Sequence, residues 1–211
     1  MKNELLPTSF KGINNDVYAG FWVRVAAKLL DFVILLPIFG LVFYVDSLSK
    51  SANLYLMIPN KLFGLAFEVI LVKIYGGTPG KLIVGLKIIQ KNGNNVDWKA
   101  SFFRYSVEFF IMILALYVLY TTLNMIDDST YISLGFLKRH QLMSTINPFL
   151  HKINFWTYSG WIISSVIVLI SNKRKRTTHD FIAGTVVVKS IYLNKIREII
   201  NSTESVESII D

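Results

Sequence analysis

The chain has 211 residues, 53 % of them hydrophobic and 14 % aromatic, with a mean hydropathy of +0.47 and a formal charge of +8. Soluble domains hold about 45–50 % apolar residues and do not gather them into long runs, so these figures exclude an ordinary soluble domain and indicate a polytopic membrane protein. The absence of cysteine also excludes disulfides, thiolate metal sites and cysteine nucleophiles.

A basic balance can mark nucleic-acid binding or an anionic membrane surface. No nucleic-acid-binding module is visible, and lysines and arginines collecting on the cytoplasmic side of a membrane protein account for the charge. His140, His151 and His179 are scattered without metal-ligand spacing, so no metal or cofactor is expected. No nucleophile–base pair appears either, which argues against an enzyme. Residues 1–17 are polar and mixed in charge, and read as a cytoplasmic lead-in rather than a cleaved signal peptide.

The first spanning helix is expected over residues 21–45. Phe21 and Trp22 suit the membrane–water boundary, and Pro37 and Gly40 are tolerated inside a membrane helix. Arg24, Lys28 and Asp31 recur at i, i+4 and i+7 and share one face. Each would cost about 2.5–3.5 kcal/mol in lipid, so that face must look at protein or water. A polar turn over 46–53 leads to a second span at 54–75, with Pro59, Asn60 and Lys61 marking its outer turn and Glu68 inside it.

Gly76-Gly77-Thr78-Pro79-Gly80-Lys81 resembles a phosphate loop only superficially. A Walker A loop needs glycine where Tyr75 stands and Ser or Thr where Leu82 stands, so a tight turn is expected instead. β-Branched residues over 82–90, Asn-Gly in the next five residues, and Val96-Asp97-Trp98 predict a hairpin. A third span is expected at 101–126, with Arg104 and Glu108 on one face, then a polar stretch over 127–154 with room for a short helix. A fourth span is expected at 155–171, opened by Trp156, Tyr158 and Trp161 and stopped by Lys173-Arg174-Lys175-Arg176. Thr185-Val186-Val187-Val188 is too short to span and predicts a strand joining the hairpin in a small cytoplasmic sheet. The tail, 190–211, is polar, with Ile196, Ile199 and Ile200 suggesting a loose amphipathic helix. No domain linker and no internal repeat is evident.

The fold class is therefore all-α: a four-helix transmembrane bundle with a small cytoplasmic β-hairpin or sheet. Lys50, Lys61, Lys138, Arg139 and Lys152 fall on the side opposite most basic residues, which orients both termini to the cytoplasm.

Three stretches in order carry a family resemblance. They are Ala19-Gly20-Phe21-Trp22-Val23-Arg24 with Asp31; Gly77-Thr78-Pro79-Gly80-Lys81 with Gly85-Leu86-Lys87-Ile88; and His179-Asp180-Phe181-Ile182-Ala183-Gly184 with Thr185-Val186-Val187-Val188. Over 18–189 the chain resembles the RDD family of bacterial membrane proteins, named for an arginine and two aspartates that map onto Arg24, Asp31 and Asp180. Residues 127–154 and the tail fall outside it. Thr177 and Thr178 separate Arg176 from the His-Asp pair, where the family often keeps a basic residue nearer. The resemblance implies a multi-pass protein of the bacterial inner membrane. Some members are linked to monovalent cation–proton antiport, others look like accessory membrane proteins, and most have no assigned activity.

By helical rise Asp31 lies about 13 Å beyond Trp22, and Glu68 and Glu108 about 10 Å inside their own spans. Three carboxylates at similar depth, with Lys28, Arg24 and Arg104 nearby, are candidates for an ion or proton pathway. The same residues can equally form a fixed polar network that registers the helices. Arg24 is expected to meet Asp180, with Asp31 deeper, facing Glu68 or Glu108, and Lys28 as the local partner of Asp31. Asp180 has a plainer role open to it, capping a short helix that begins at Phe181. Two function classes follow: a cation–proton exchanger, which with four helices implies a homo-oligomer, and an accessory or scaffold protein whose charges only lock helix packing. The partners expected are the lipid bilayer and, for an exchanger, a monovalent cation and proton.

Overall fold

A computed structural model describes residues 6–8 and 17–210, with side chains described up to Asn201. Its helices and strands in chain order are α1 (Phe21–Leu48), α2 (Lys50–Tyr75), α3 (Pro79–Ile83), β1 (Leu86–Gln90), α4 (Trp98–Asn124), α5 (Asp128–Ser133), α6 (Phe136–Ile146), α7 (Pro148–Ser171), α8 (Thr178–Ile182), β2 (Thr185–Lys189) and α9 (Leu193–Ile210). Four apolar helical runs are long enough to cross a membrane: Phe21–Leu48, Lys50–Ile83, which takes α2 and α3 together, Trp98–Asn124 and Pro148–Ser171. Phe32, Leu41, Phe110, Ile163 and Ile167 on these helices are exposed, as lipid-facing side chains must be. The chain is a helical polytopic membrane protein with a small two-stranded sheet.

Several boundaries differ from those read in sequence. Pro59, Asn60 and Lys61 lie inside α2 rather than at a turn. The fourth span begins at Pro148, and 127–146 holds two helices, α5 and α6. Leu82 and Ile83 belong to α3, and Trp98 opens α4, so neither joins the sheet. The expected hairpin shrinks to one isolated bridge between Ile89 and Asn95. The sheet is β1 paired antiparallel with β2, Ile88 facing Val187 at its centre. Local preference explains this: Pro at the first helical position after Thr78 favours a helical turn, whereas the β-branched run of β2 favours a strand.

The chain forms two compact units. One takes the described residues up to Val33, Phe67–Tyr105 and those from Ser164 on. Its core is the sheet, with Leu86, Ile88, Val187 and Ala27 in one cluster and Ile89, Val186, Val188 and Ile196 in another. Ile196 draws α9 onto the sheet, and Ile199 and Ile200 pack beside it. The other unit, Ile34–Ala66 and Ser106–Ile163, has Leu123, Ile126, Tyr131 and Met143 at its core. There the Tyr131 hydroxyl donates to the Asp46 carbonyl at 2.8 Å and accepts from Asn53 at 2.9 Å. The Arg139 guanidinium lies 3.9 Å over the Tyr131 ring. These bonds tie α5 and α6 to their unit.

One feature contradicts the absence of a repeat. α3 is a five-residue helix capped by Thr78 and followed by Val84, Gly85 at φ 72° and the five-residue β1. α8 is a five-residue helix capped by Thr177 and followed by Ala183, Gly184 at φ 64° and the five-residue β2. The spacing is identical, and Ile88 and Val187, which face each other, are equivalent positions. The two helix–strand segments, both within the first compact unit, are thus related by a local twofold through that pair. Only the threonine, one isoleucine and the glycine coincide in sequence. The glycines recur because a left-handed backbone between helix and strand demands them.

Candidate functional site

Asp180 sits at the third position of α8, just after the turn that opens the helix, and is fully buried. One carboxylate oxygen accepts from the Thr177 amide at 2.9 Å, the Thr177 hydroxyl at 2.7 Å and Arg24 Nη1 at 3.0 Å. The other accepts from Arg104 Nη1 and, at 3.3 Å, from the Thr185 hydroxyl. Burial alone would raise the pKa of this group, but Arg104 and then Arg24 hold it well below the usual carboxylate range. Its neighbour His179 is pushed down to about 3, first by burial and then by Arg104, so the imidazole is neutral.

Each arginine is spent on further bonds. Arg24 Nη2 donates to the Lys175 carbonyl at 2.6 Å and Nε to the Ala19 carbonyl at 3.1 Å. Arg104 also donates to the Thr185 hydroxyl at 2.8 Å. Arg176 reaches the backbone rather than the carboxylate. Its Nη2 donates to the Asp180 carbonyl at 2.9 Å and its Nε to the Thr185 carbonyl at 3.0 Å, while the guanidinium stacks 4.0 Å over Phe181. α1, α4, α8 and β2 are fastened at one carboxylate, and the basic turn after α7 is tied to it through Arg176 and the Lys175 carbonyl.

Asp31 is also buried, at 2 % exposure, but is bound by neutral donors. Thr78 Oγ1 donates to Oδ2 at 2.6 Å and the Gly80 amide to Oδ1 at 2.7 Å. Gly80 makes the approach possible: a Cβ there would lie 2.1 Å from the Ala27 carbonyl oxygen and 2.9 Å from Asp31 Cγ. The glycine of the phosphate-loop look-alike therefore seats α3 against the backbone of α1.

Glu68 is held between two lysines, Lys28 at 2.8 Å and Lys81 at 3.7 Å. Lys81 also donates to Thr78 Oγ1 at 3.4 Å, which links this group to Asp31. Lys28 is 71 % exposed and Lys81 largely buried. Glu108 belongs to the other compact unit, where it accepts from Trp161 Nε1 at 2.9 Å.

The structure brings Arg24 to Asp180, as helix-face spacing and the strand pairing suggest. It corrects two other contacts. Asp31 faces Thr78 and Gly80, not Glu68 or Glu108. Lys28, which helical spacing pairs with Asp31, reaches across to Glu68 on α2. Asp180 is not the N-cap of a helix starting at Phe181; Thr177 is the cap, and Asp180 completes the reciprocal half of a capping box. Thr78, Gly80, Lys81, Thr177 and Thr185 are members of the site to which sequence reasoning gave no role, and Arg104, read there only as a cation near the three carboxylates, is one of the two arginines on Asp180. A signal existed for Arg104: Ser101-Phe102-Phe103-Arg104 echoes the aromatic opening Phe21-Trp22-Val23-Arg24 of α1. Among the described residues, no group of three His, Asp or Glu side chains is placed to hold a metal ion.

No solved structure matches the chain. It is 23 % identical over 190 residues to the uncharacterized protein YckC of Bacillus subtilis (strain 168), covering 89 % of this chain and 93 % of that protein. It is 30 % identical over 96 residues to the uncharacterized membrane protein YteJ of the same organism, covering 41 % of this chain and 58 % of that protein. The model of the RDD family matches residues 18–184, from the bridge before α1 to the glycine before β2. The chain thus belongs to the RDD family of membrane proteins.

Proposed function

We propose that this protein is an accessory or scaffold protein of the bacterial inner membrane, and that its arginine and two aspartates are a fixed clamp rather than a transport pathway. The carrying observation is the saturation of Asp180: five donors, two of them guanidinium groups, around a carboxylate with no exposure. An exchanging site must release and rebind its ion, and a carboxylate held this way has no valence left for one. Asp31 supports the same reading, since both of its oxygens are engaged in seating α3. No catalysis is part of this reading.

Both termini lie in the cytoplasm on this proposal. Lys50, Lys61, Lys138, Arg139 and Lys152 are outnumbered by the basic residues near the termini and between the second and third spans.

A second reading keeps one observation in its favour. Glu68 bridges an exposed lysine and a buried one, a pairing that an incoming monovalent cation or proton could disturb, and it would require a homo-oligomer. Purified protein in proteoliposomes separates the two. A sodium or potassium gradient should drive no more proton flux than empty vesicles show, for the natural protein and for Glu68→Gln alike. Cation-dependent flux that Glu68→Gln abolishes would replace the clamp reading with exchange.

A further inference from the structure

The twofold-related α3 and α8 differ in what they turn inward. At equivalent positions α3 places Lys81 beside Glu68, whereas α8 places Asp180 between two arginines. What they keep is outside. The next two positions are apolar and exposed in both helices: Leu82 at 38 % and Ile83 at 65 %, Phe181 at 48 % and Ile182 at 43 %. An exposed apolar pair at the end of a five-residue helix adds nothing to the core, yet both copies retain it.

Each helix closely follows a membrane-spanning one in the chain. α3 is the last part of the apolar run Lys50–Ile83. α8 comes after α7 and the basic turn over 172–176, which a plain reading places out in water. Arg176 from that turn is itself buried and covers one face of the Phe181 ring at 4.0 Å, which fixes the ring in place on α8. Lys173 in the turn is exposed, as are Trp98 and Lys99 at the start of α4 and Trp22 at 78 % at the start of α1. Aromatic and basic side chains of this kind belong to the membrane–water boundary.

We infer that α3 and α8 are a twofold-related pair of interfacial anchors, whose Leu82–Ile83 and Phe181–Ile182 edges lie in the boundary between lipid headgroups and acyl chains. α8 thus returns to the bilayer surface after the basic turn, and the sheet between the two helices is held at that surface from both sides. The occupant of the two apolar edges is lipid, because the first edge is continuous with a membrane-spanning run and the second follows a basic turn whose Lys173 is exposed and suits a headgroup phosphate.

The chain has no cysteine, so single cysteines can be placed and labelled directly. Leu82→Cys, Ile83→Cys, Phe181→Cys and Ile182→Cys, each carrying an environment-sensitive fluorophore, would be reconstituted in vesicles with lipids bearing a nitroxide at a shallow or a deep acyl position. An exposed Asn94→Cys serves as the water reference. All four labels should be quenched by the shallow nitroxide at least about threefold more than the reference, and by the deep one less, as for a helix lying in the interface. If Phe181→Cys fails to fold because Arg176 loses its ring, Ile182→Cys carries the test for α8. Quenching of the α8 labels by aqueous iodide instead would overturn the inference, as would protection from both lipid and aqueous quenchers, which would mean that another protein copy covers them.

Discussion

Asp31 and Asp180 are both buried carboxylates, and the structure solves them differently. Asp180 is neutralised by charge, with Arg24 and Arg104 on opposite oxygens. Asp31 is satisfied by a hydroxyl and a backbone amide, with Lys81 linked to it through Thr78. The first arrangement depends on charge: removing the carboxylate strands two buried guanidinium groups. The second depends on shape: it works only while Gly80 lets α3 approach α1. A carboxylate that appears in the same family signature can therefore be an electrostatic hub or a steric latch.

The largest expected effect comes from the hub. Asp180→Asn leaves Arg24 and Arg104 without a counter-charge, and breaking a buried pair in this way costs about 3–5 kcal/mol. Thermal unfolding in detergent should show a large loss or no folded protein. Asp31→Asn should lose less, since an amide oxygen can still accept from Thr78 or Gly80 and no cation is stranded.

Gly80→Ala comes next and probes the latch. The added Cβ meets backbone at 2.1 Å, a clash with atoms that cannot swing aside. Overpacking costs about 1–3 kcal/mol, occasionally more, and the same unfolding measurement should place this variant below Asp31→Asn. Stability equal to that of the natural protein would mean that α3 does not sit on α1.

A pH series probes the hub. His179 falls to about 3 in the folded protein from about 6.5 when unfolded. As pH drops below about 6.5, the unfolded chain gains a proton that the folded one refuses, so stability is lost progressively down toward pH 3. Asp180 has a folded pKa well below 3.8, so its contribution is complete above that pH and is lost only as pH falls further. His179→Gln should therefore flatten the slope of stability between about pH 6.5 and pH 4. An unchanged slope would show that His179 is not buried beside the hub.

The smallest effect is expected at Lys28. Its side chain is 71 % exposed, and such pairs contribute roughly 0–1 kcal/mol. Lys28→Gln should leave the unfolding midpoint nearly unchanged, while Lys81→Gln, at the buried end of the Glu68 pair, should lower it more.

The sequence already showed what depends on periodicity. Four spans, the shared face of Arg24 and Asp31, and the strand at β2 follow from helical and β-branched patterns. The pairing of β2 with residues before α4 brings Asp180 to Arg24, so that contact was legible as well. What was hidden depended on shape or on tertiary partners. Gly80 reads as a turn residue because nothing in one dimension marks the backbone it touches. Thr78 and Thr177 read as ordinary polar residues, although one serves Asp31 and the other Asp180. The repeat escaped notice because it resides in backbone conformation, with only Thr, Ile and Gly shared. The one short helix expected in 127–154 is two, α5 and α6, whose apolar contacts around Tyr131 and Met143 are made with distant segments of their unit.

A double-mutant cycle on Arg24 and Asp180 tests the clamp most directly. The unfolding free energies of Arg24→Ala, Asp180→Ala and the double variant would be measured in one detergent. A clamp predicts coupling at the upper end of the roughly 0.5–3 kcal/mol seen for contacting residues, with Arg24→Ala costing far less once Asp180 is already gone. Strict additivity of the two losses would contradict it.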